Sequence, residues 1–238
     1  MAIPNPAIEV LLPAYNEADS IEPIVREIYD ELSPYLALQF IITEDGSTDG
    51  TKEVLARLSK LYPIKLITSE TRKGYGPALI DGMRLLDAPY LLCLDSDGQC
   101  DPRDFWRFWQ ARDTADVLVG WRVHRRRGLG RMILSIGFYT LYQLLYRVPA
   151  HDPSFCYVLV HRRVVERLLP ELGEMREGFW WEFTGRAHRR RFRVQELPVN
   201  HRDRFSGGRT RVYHLSKLPG IGYRHFLALF KVWHQTRP

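Results

Sequence analysis

The side chains best suited to chemistry sit where apolar runs end. Asp95, Asp97 and Gln99 follow the apolar stretch 90–94 at alternating positions. Alternation puts Asp97 and Gln99 on one side of an extended chain end, where their oxygen atoms can meet one hard cation. Mg2+ or Mn2+ suits that donor set, because such ions keep waters and complete their shell with substrate phosphates. Other polar groups follow other apolar runs: Tyr15, Asn16 and Glu17 after 8–13, Glu44 and Asp45 after 40–43, Arg72 and Lys73 after 64–68, and Arg122 after 117–120. One polar loop after a strand is an ordinary turn. Five such loops, with acids near the middle, favour a ligand site.

Those loops require a scaffold that ends its strands on one rim. The runs 8–13, 40–43, 64–68, 90–94 and 117–120 read as strands. Between them, apolar residues recur at helical spacing: Ile21, Ile24, Val25, Ile28 and Leu32 in 20–32, and Val54, Leu55, Leu58 and Leu61 after the cap candidates Thr48 and Asp49. Helices are also expected at 77–86 and 104–114. Repeated strand–helix–strand units predict an α/β fold, a mostly parallel sheet with helices on both faces. Ligands bind such sheets beyond the carboxyl ends of the strands. After Arg122 the rhythm changes. Helices are expected at 132–146, 162–169, 179–190 and 213–234, the last interrupted at Pro219-Gly220, with strands at 155–160 and 194–199.

Composition separates the same two halves. The 238 residues carry a net charge of +6. Residues 1–120 hold 11 Lys and Arg against 20 Asp and Glu, whereas 121–238 hold 23 against 8. The division expected is 1–122 as an acidic half that can hold a cation and 123–238 as a basic half suited to phosphate groups, nucleic acid or an anionic membrane surface, within one continuous domain. A 45% apolar content excludes disorder as the dominant state. Cys93, Cys100 and Cys156 are an odd number without CxxC spacing, so a disulfide framework or structural zinc is not expected, and a reducing cytoplasm fits. No signal peptide is visible at the N-terminus. The uncharged run 132–146 is shorter than the roughly 20 residues a spanning helix needs. With the aromatic and basic segment 213–234, it suits either a core or the headgroup plane of a membrane, so peripheral contact at the cytoplasmic face is one expectation. A nucleic-acid binder would leave the acids at 45, 95 and 97 without a purpose, and no nucleic-acid partner is expected.

Six ordered segments, PAYNE at 13–17, EDGSTDGT at 44–51, RKGYGPALIDG at 72–82, DSDGQ at 95–99, GWR at 120–122 and ELPV at 196–199, make the chain resemble the family 2 glycosyltransferases of GT-A fold. Within them it resembles the dolichol-phosphate mannose synthase and polyprenyl-phosphate glycosyltransferase group, over residues 8 to about 211. The resemblance implies an inverting transfer from a nucleoside-diphosphate sugar, GDP-mannose-like or UDP-linked, with Mg2+ or Mn2+ as cofactor. It assigns the nucleoside to Pro13, Tyr15, Glu17 and Asp45, with Lys73 beside them, and metal and diphosphate to Asp95, Asp97 and Gln99. Arg122 and Arg131 would serve the phosphate region, and Arg204 would close over the diphosphate, with Gly207 and Gly208 letting its loop move. For most of the residues Arg125 to Arg127 and Arg189 to Arg191, a solvated face is the better reading.

The acceptor implied is a polyprenyl phosphate; a soluble hydroxyl acceptor is the alternative. A phosphate attacks as an anion, whereas a hydroxyl needs a base; Asp152 and Glu182 are candidates for that base or for positioning the acceptor, with a structural role as the alternative for each. No QxxRW segment of the processive synthases is present.

Overall fold

The computed structural model describes residues 5–123, 129–205 and 218–237, apart from the side chains of 129–135 and 218–221. Strand β1 (Ile8–Ala14) is buried at every position, as expected of an apolar run covered on both faces of a sheet. It pairs in parallel with β2 (Leu38–Glu44) and β4 (Tyr90–Cys93), and β2 pairs in parallel with β3 (Ile64–Thr68). Helices α1 (Ile21–Leu32), α2 (Thr51–Leu61) and α3 (Tyr75–Met83) make the connections. α3 lies close on the sheet at Gly82, where a Cβ would meet Leu11 Cδ1 at 2.3 Å.

The second half extends the same sheet. α4 (Phe105–Ala111), entered through a 3-10 turn at Pro102–Asp104, precedes β5 (Val117–Arg122). Then come α5 (Leu129–Tyr146), β6 (Val158–His161), α6 (Arg162–Leu168), α7 (Phe179–Arg189), β7 (Val194–Val199) and α8 (Leu218–Gln235). The sheet has 7 strands in the order β3-β2-β1-β4-β6-β5-β7.

The parallel expectation needs one amendment with a functional consequence. β6 runs antiparallel to both neighbours, β4 and β5. Its entry end therefore lies at the rim where its neighbours exit, so the segment before it, through Cys156, joins the loops after β4 and β5. That segment also begins the strand later than expected, at Val158. Pro219 and Gly220 do not interrupt α8 but fall in its first turn, where a missing N–H costs no intrahelical bond. Among the described residues no helix is long and apolar enough to cross a membrane.

Candidate active site

A cavity of about 740 Å³ opens on that rim, lined from the first half by Tyr15, Glu17, Asp45, Asp95, Asp97 and Gln99, among others. At one end, Asp45 is fixed by the backbone: its carboxylate accepts from the N–H of Lys73 at 2.6 Å and of Gly74 at 2.9 Å. The approach requires glycine at 46, whose φ is +73° and where a Cβ would sit 2.6 Å from Arg72 N. The Arg72 guanidinium lies 4.0 Å from the centre of the Tyr15 ring, a cation–π stack whose two planar faces border the cavity. Pro13 also lines the cavity. The Lys73 side chain does not; its Nζ pairs with Asp81 at 2.5 Å, so only its backbone serves the site.

The acids gather at the centre. Burial, reinforced by the charge of Asp97, pushes the Asp95 carboxyl up to about 6. Burial also raises Glu17, partly offset by its hydrogen bond from Ser20, with Asp97 raising it further. One guanidinium answers this crowding. Arg204 Nη2 contacts Asp97 Oδ2 at 2.8 Å, and its Nη1 is 3.9 Å from Glu17 Oε1. Arg204 arrives on the strand-like segment 201–205, which lies along the acidic turn through Arg202 N to Gln99 O (2.9 Å) and Phe205 N to Asp97 O (3.2 Å). The Gln99 side chain donates to the Arg202 carbonyl at 3.3 Å, joining the same two segments.

A dication fits the chemistry of this donor set, which is hard carboxylate oxygen with more negative charge than one arginine balances. Among the described residues, no group of three or more His, Cys, Asp and Glu side chains could hold it unaided. Asp97 would therefore be the principal protein ligand, with Asp95 and Gln99 beside it and donor phosphates completing the shell.

Two further residues orient Asp95. Tyr75 Oη donates to Asp95 Oδ1 at 2.9 Å, and Trp180 Nε1 donates to Tyr75 Oη at 2.9 Å. This chain runs from α7 through α3 to the acidic turn. Sequence reasoning missed both members. Their signals were the Tyr between the glycines of RKGYG and the first Trp of FWWEF, neither of which has a spacing that reveals the other.

The opposite wall comes from the second half. Arg122 lines the cavity and is held by Asp152 in a forked pair, Nε–Oδ2 2.7 Å and Nη2–Oδ1 3.0 Å. Its guanidinium lies 4.6 Å from the Phe155 ring centre. Asp152 is thus committed to positioning Arg122 and is not among the lining residues. Glu182 is not brought to the cavity either. It is fully buried, accepts from Met175 N at 2.8 Å and Gly173 N at 3.3 Å, and pairs with Arg186 at 2.8 Å. The expectation of a base at Glu182 gives way to an internal ion pair. The Arg131 side chain, Arg125 to Arg127, Gly207 and Gly208 lie outside the described residues. The remaining lining includes Ser154, Trp181, Glu177, Arg224 and His225, none of which the sequence marks.

Comparison with known proteins follows the same lines. The model of glycosyl transferase family 2 matches residues 9–169. A polyprenol monophosphomannose synthase of Mycolicibacterium smegmatis is 28% identical over 235 residues, 94% of this chain and 84% of the relative. An uncharacterized glycosyltransferase of Mycobacterium bovis is 30% identical over 217 residues, 87% of this chain and 89% of its own. Among solved structures, the glucosyl-3-phosphoglycerate synthase of Mycobacterium tuberculosis, crystallised with Mn2+, uridine diphosphate and glucosyl-3-phosphoglycerate, superposes with a TM-score of 0.69 at 17% identity, covering 96% of this chain and 80% of that one. A mannosyltransferase of Pyrobaculum calidifontis, in complex with GDP-Man and Mn2+, gives 0.64 at 22%, covering 96% and 64%. These likenesses show a shared GT-A fold.

Proposed function

The chain belongs to glycosyl transferase family 2, and from that premise we propose that it transfers a sugar from a nucleoside-diphosphate sugar to the phosphate of a polyprenyl lipid, with Mg2+ or Mn2+ at the acidic turn. The observation that carries this reading is the Arg204–Asp97 contact at 2.8 Å inside a cluster of carboxylates. Cleaving the bond between sugar C1 and the diphosphate leaves negative charge on the departing group. A dication held at Asp97 supplies charge neutralisation there when bound. Arg204, released from Asp97, turns its guanidinium to the phosphate oxygens, and the donor's base packs against the Tyr15–Arg72 stack with Asp45 at its edge. Preorganised donors of this kind act where charge develops in the transition state.

The acceptor assignment rests on the second half. A phosphate attacks C1 without prior loss of a proton, which suits a cavity whose two expected bases are engaged elsewhere, Asp152 with Arg122 and Glu182 with Arg186. The relative from Mycolicibacterium smegmatis supports the same acceptor class. Exposed apolar side chains on α5 (Ile136, Leu144) and α8 (Tyr223, Phe226, Leu227, Phe230) suit peripheral contact with a membrane, where such an acceptor resides. One observation favours a soluble hydroxyl acceptor instead. Glu177 is a cavity carboxylate 35% exposed, placed where a base could act.

Mass spectrometry of products from a panel of GDP- and UDP-sugars, with and without polyprenyl phosphate, tests the reading. A glycosyl prenyl phosphate is expected with one donor and only with divalent metal. Transfer to hydroxyl acceptors alone would overturn it.

A further inference from the structure

α8 carries side chains that neither the family motifs nor the donor chemistry employs. Arg224 and His225 line the same cavity as Asp97 and Arg122, yet they come from the far end of the chain. Both face Glu177, with Arg224 Nη2 3.7 Å from Oε1 and His225 Nε2 3.6 Å from Oε2. Those separations are ion-pair range but too long for hydrogen bonds. Among the described residues, the buried His225 Nε2 has no hydrogen-bond partner, a costly state that a ligand oxygen would relieve. The imidazole has a prepared seat. A Cβ at Gly178 would lie 3.4 Å from His225 Cε1 and Nε2, and the Phe138 ring centre is 6.2 Å from that of His225. On the outer face of the same helix, Tyr223, Phe226, Leu227 and Phe230 are exposed, so an apolar tail leaving this corner has a surface to follow.

We propose that Arg224 and His225 form the subsite for the acceptor's phosphomonoester, on the cavity wall that also presents Arg122, and that the Glu177 carboxylate occupies this subsite until the acceptor displaces it. The inference rests on the acceptor class proposed above and adds the residues that hold it. Arg224 supplies a forked donor and His225 a single N–H. The three groups close the cavity's α8 side with one carboxylate between two donors.

Binding of farnesyl phosphate to the full chain, followed by quenching of Trp180 and Trp181 in the cavity wall, tests this. The paired substitution R224A/H225A is expected to weaken binding about tenfold or more, the size of effect of lost charge-assisted hydrogen bonds. GDP and UDP affinity in the presence of Mn2+ should stay within about twofold, which reports that the cavity is still folded. E177Q is expected to tighten farnesyl phosphate binding about threefold, a change of sign that loss of structure would not produce. A parallel titration with 3-phosphoglycerate separates a lipid phosphate from a soluble one, since either source would respond to the same substitutions. Unchanged affinity in R224A/H225A and in E177Q, with farnesyl phosphate still bound and glycosylated by the wild type, would overturn this subsite alone. A wild type that binds no phosphomonoester, yet glycosylates hydroxyl acceptors, would overturn the proposed function and this subsite with it.

Discussion

Two carboxylate–guanidinium pairs have the same length, 2.8 Å: Asp97–Arg204, which joins the two halves at the rim, and Glu182–Arg186, which lies within the second half on the buried face of α7. Glu182 and Arg186 are one helical turn apart on a single element, with side chains 0% and 1% exposed. Two backbone N–H groups also donate to Glu182, and Gln235 accepts from Arg186 at 2.6 Å. Glu171 Oε2 lies 3.5 Å from Arg186 Nη1 as well. Asp97 and Arg204 come from segments far apart in sequence, beside two further acids, at a cavity wall where Arg204 is 22% exposed. A buried pair with both partners hydrogen-bonded by further groups fixes structure, whereas a pair crowded by like charge at an opening is ready to exchange partners. Distance alone does not distinguish the two uses; the neighbours do.

Substitution can break this contrast. D97A is expected to lower turnover at least about 10³-fold, the scale of losing metal-based charge stabilisation, with little change in Tm; product formation and calorimetry together report it. E182Q should do the reverse. Removing one partner of a buried pair costs about 3–5 kcal/mol, so thermal unfolding should shift down strongly while the folded fraction keeps its kcat. A silent Tm and a lost kcat in E182Q would mean that Glu182 belongs to the chemistry after all. R204A is expected to slow transfer about 10²–10³-fold, as for loss of one preorganised donor to developing charge. It should also tighten Mn2+ binding to the nucleotide-free protein, readable by spin resonance, because Asp97 loses its competitor. The mildest change is D152N. It leaves Arg122 in place but loosens its forked grip, so kcat/KM for the acceptor should fall about tenfold with the donor KM unchanged. An effect on donor KM instead would move Arg122 to the donor side.

The local elements were legible in the sequence because they depend on near neighbours. β3 and β7 span the ranges expected from their apolar runs, and β1 and α1 differ from expectation by one residue at an end. The rim chemistry was legible for a related reason. In a parallel sheet the residue after a strand is automatically at the ligand end, so Tyr15, Asp45, Asp97 and Arg122 could be placed by chain order alone. That argument fails where pairing reverses direction. The segment before β6 and the cavity face of α8 reach the site through contacts between distant parts of the chain, which no periodicity encodes.

Sequence by itself therefore determined the strands, most helices and the acidic turn, since side-chain spacing and a few adjacent residues decide those. Only the tertiary structure decided which charges are partners. It took Glu182 into the interior, tied Asp152 to Arg122, set Arg204 on Asp97 and brought Arg224 and His225 across from the last helix. A carboxylate's role depends on its solvent exposure and on the cations within a few ångströms, and both are properties of packing, fixed only when the whole chain has closed around them.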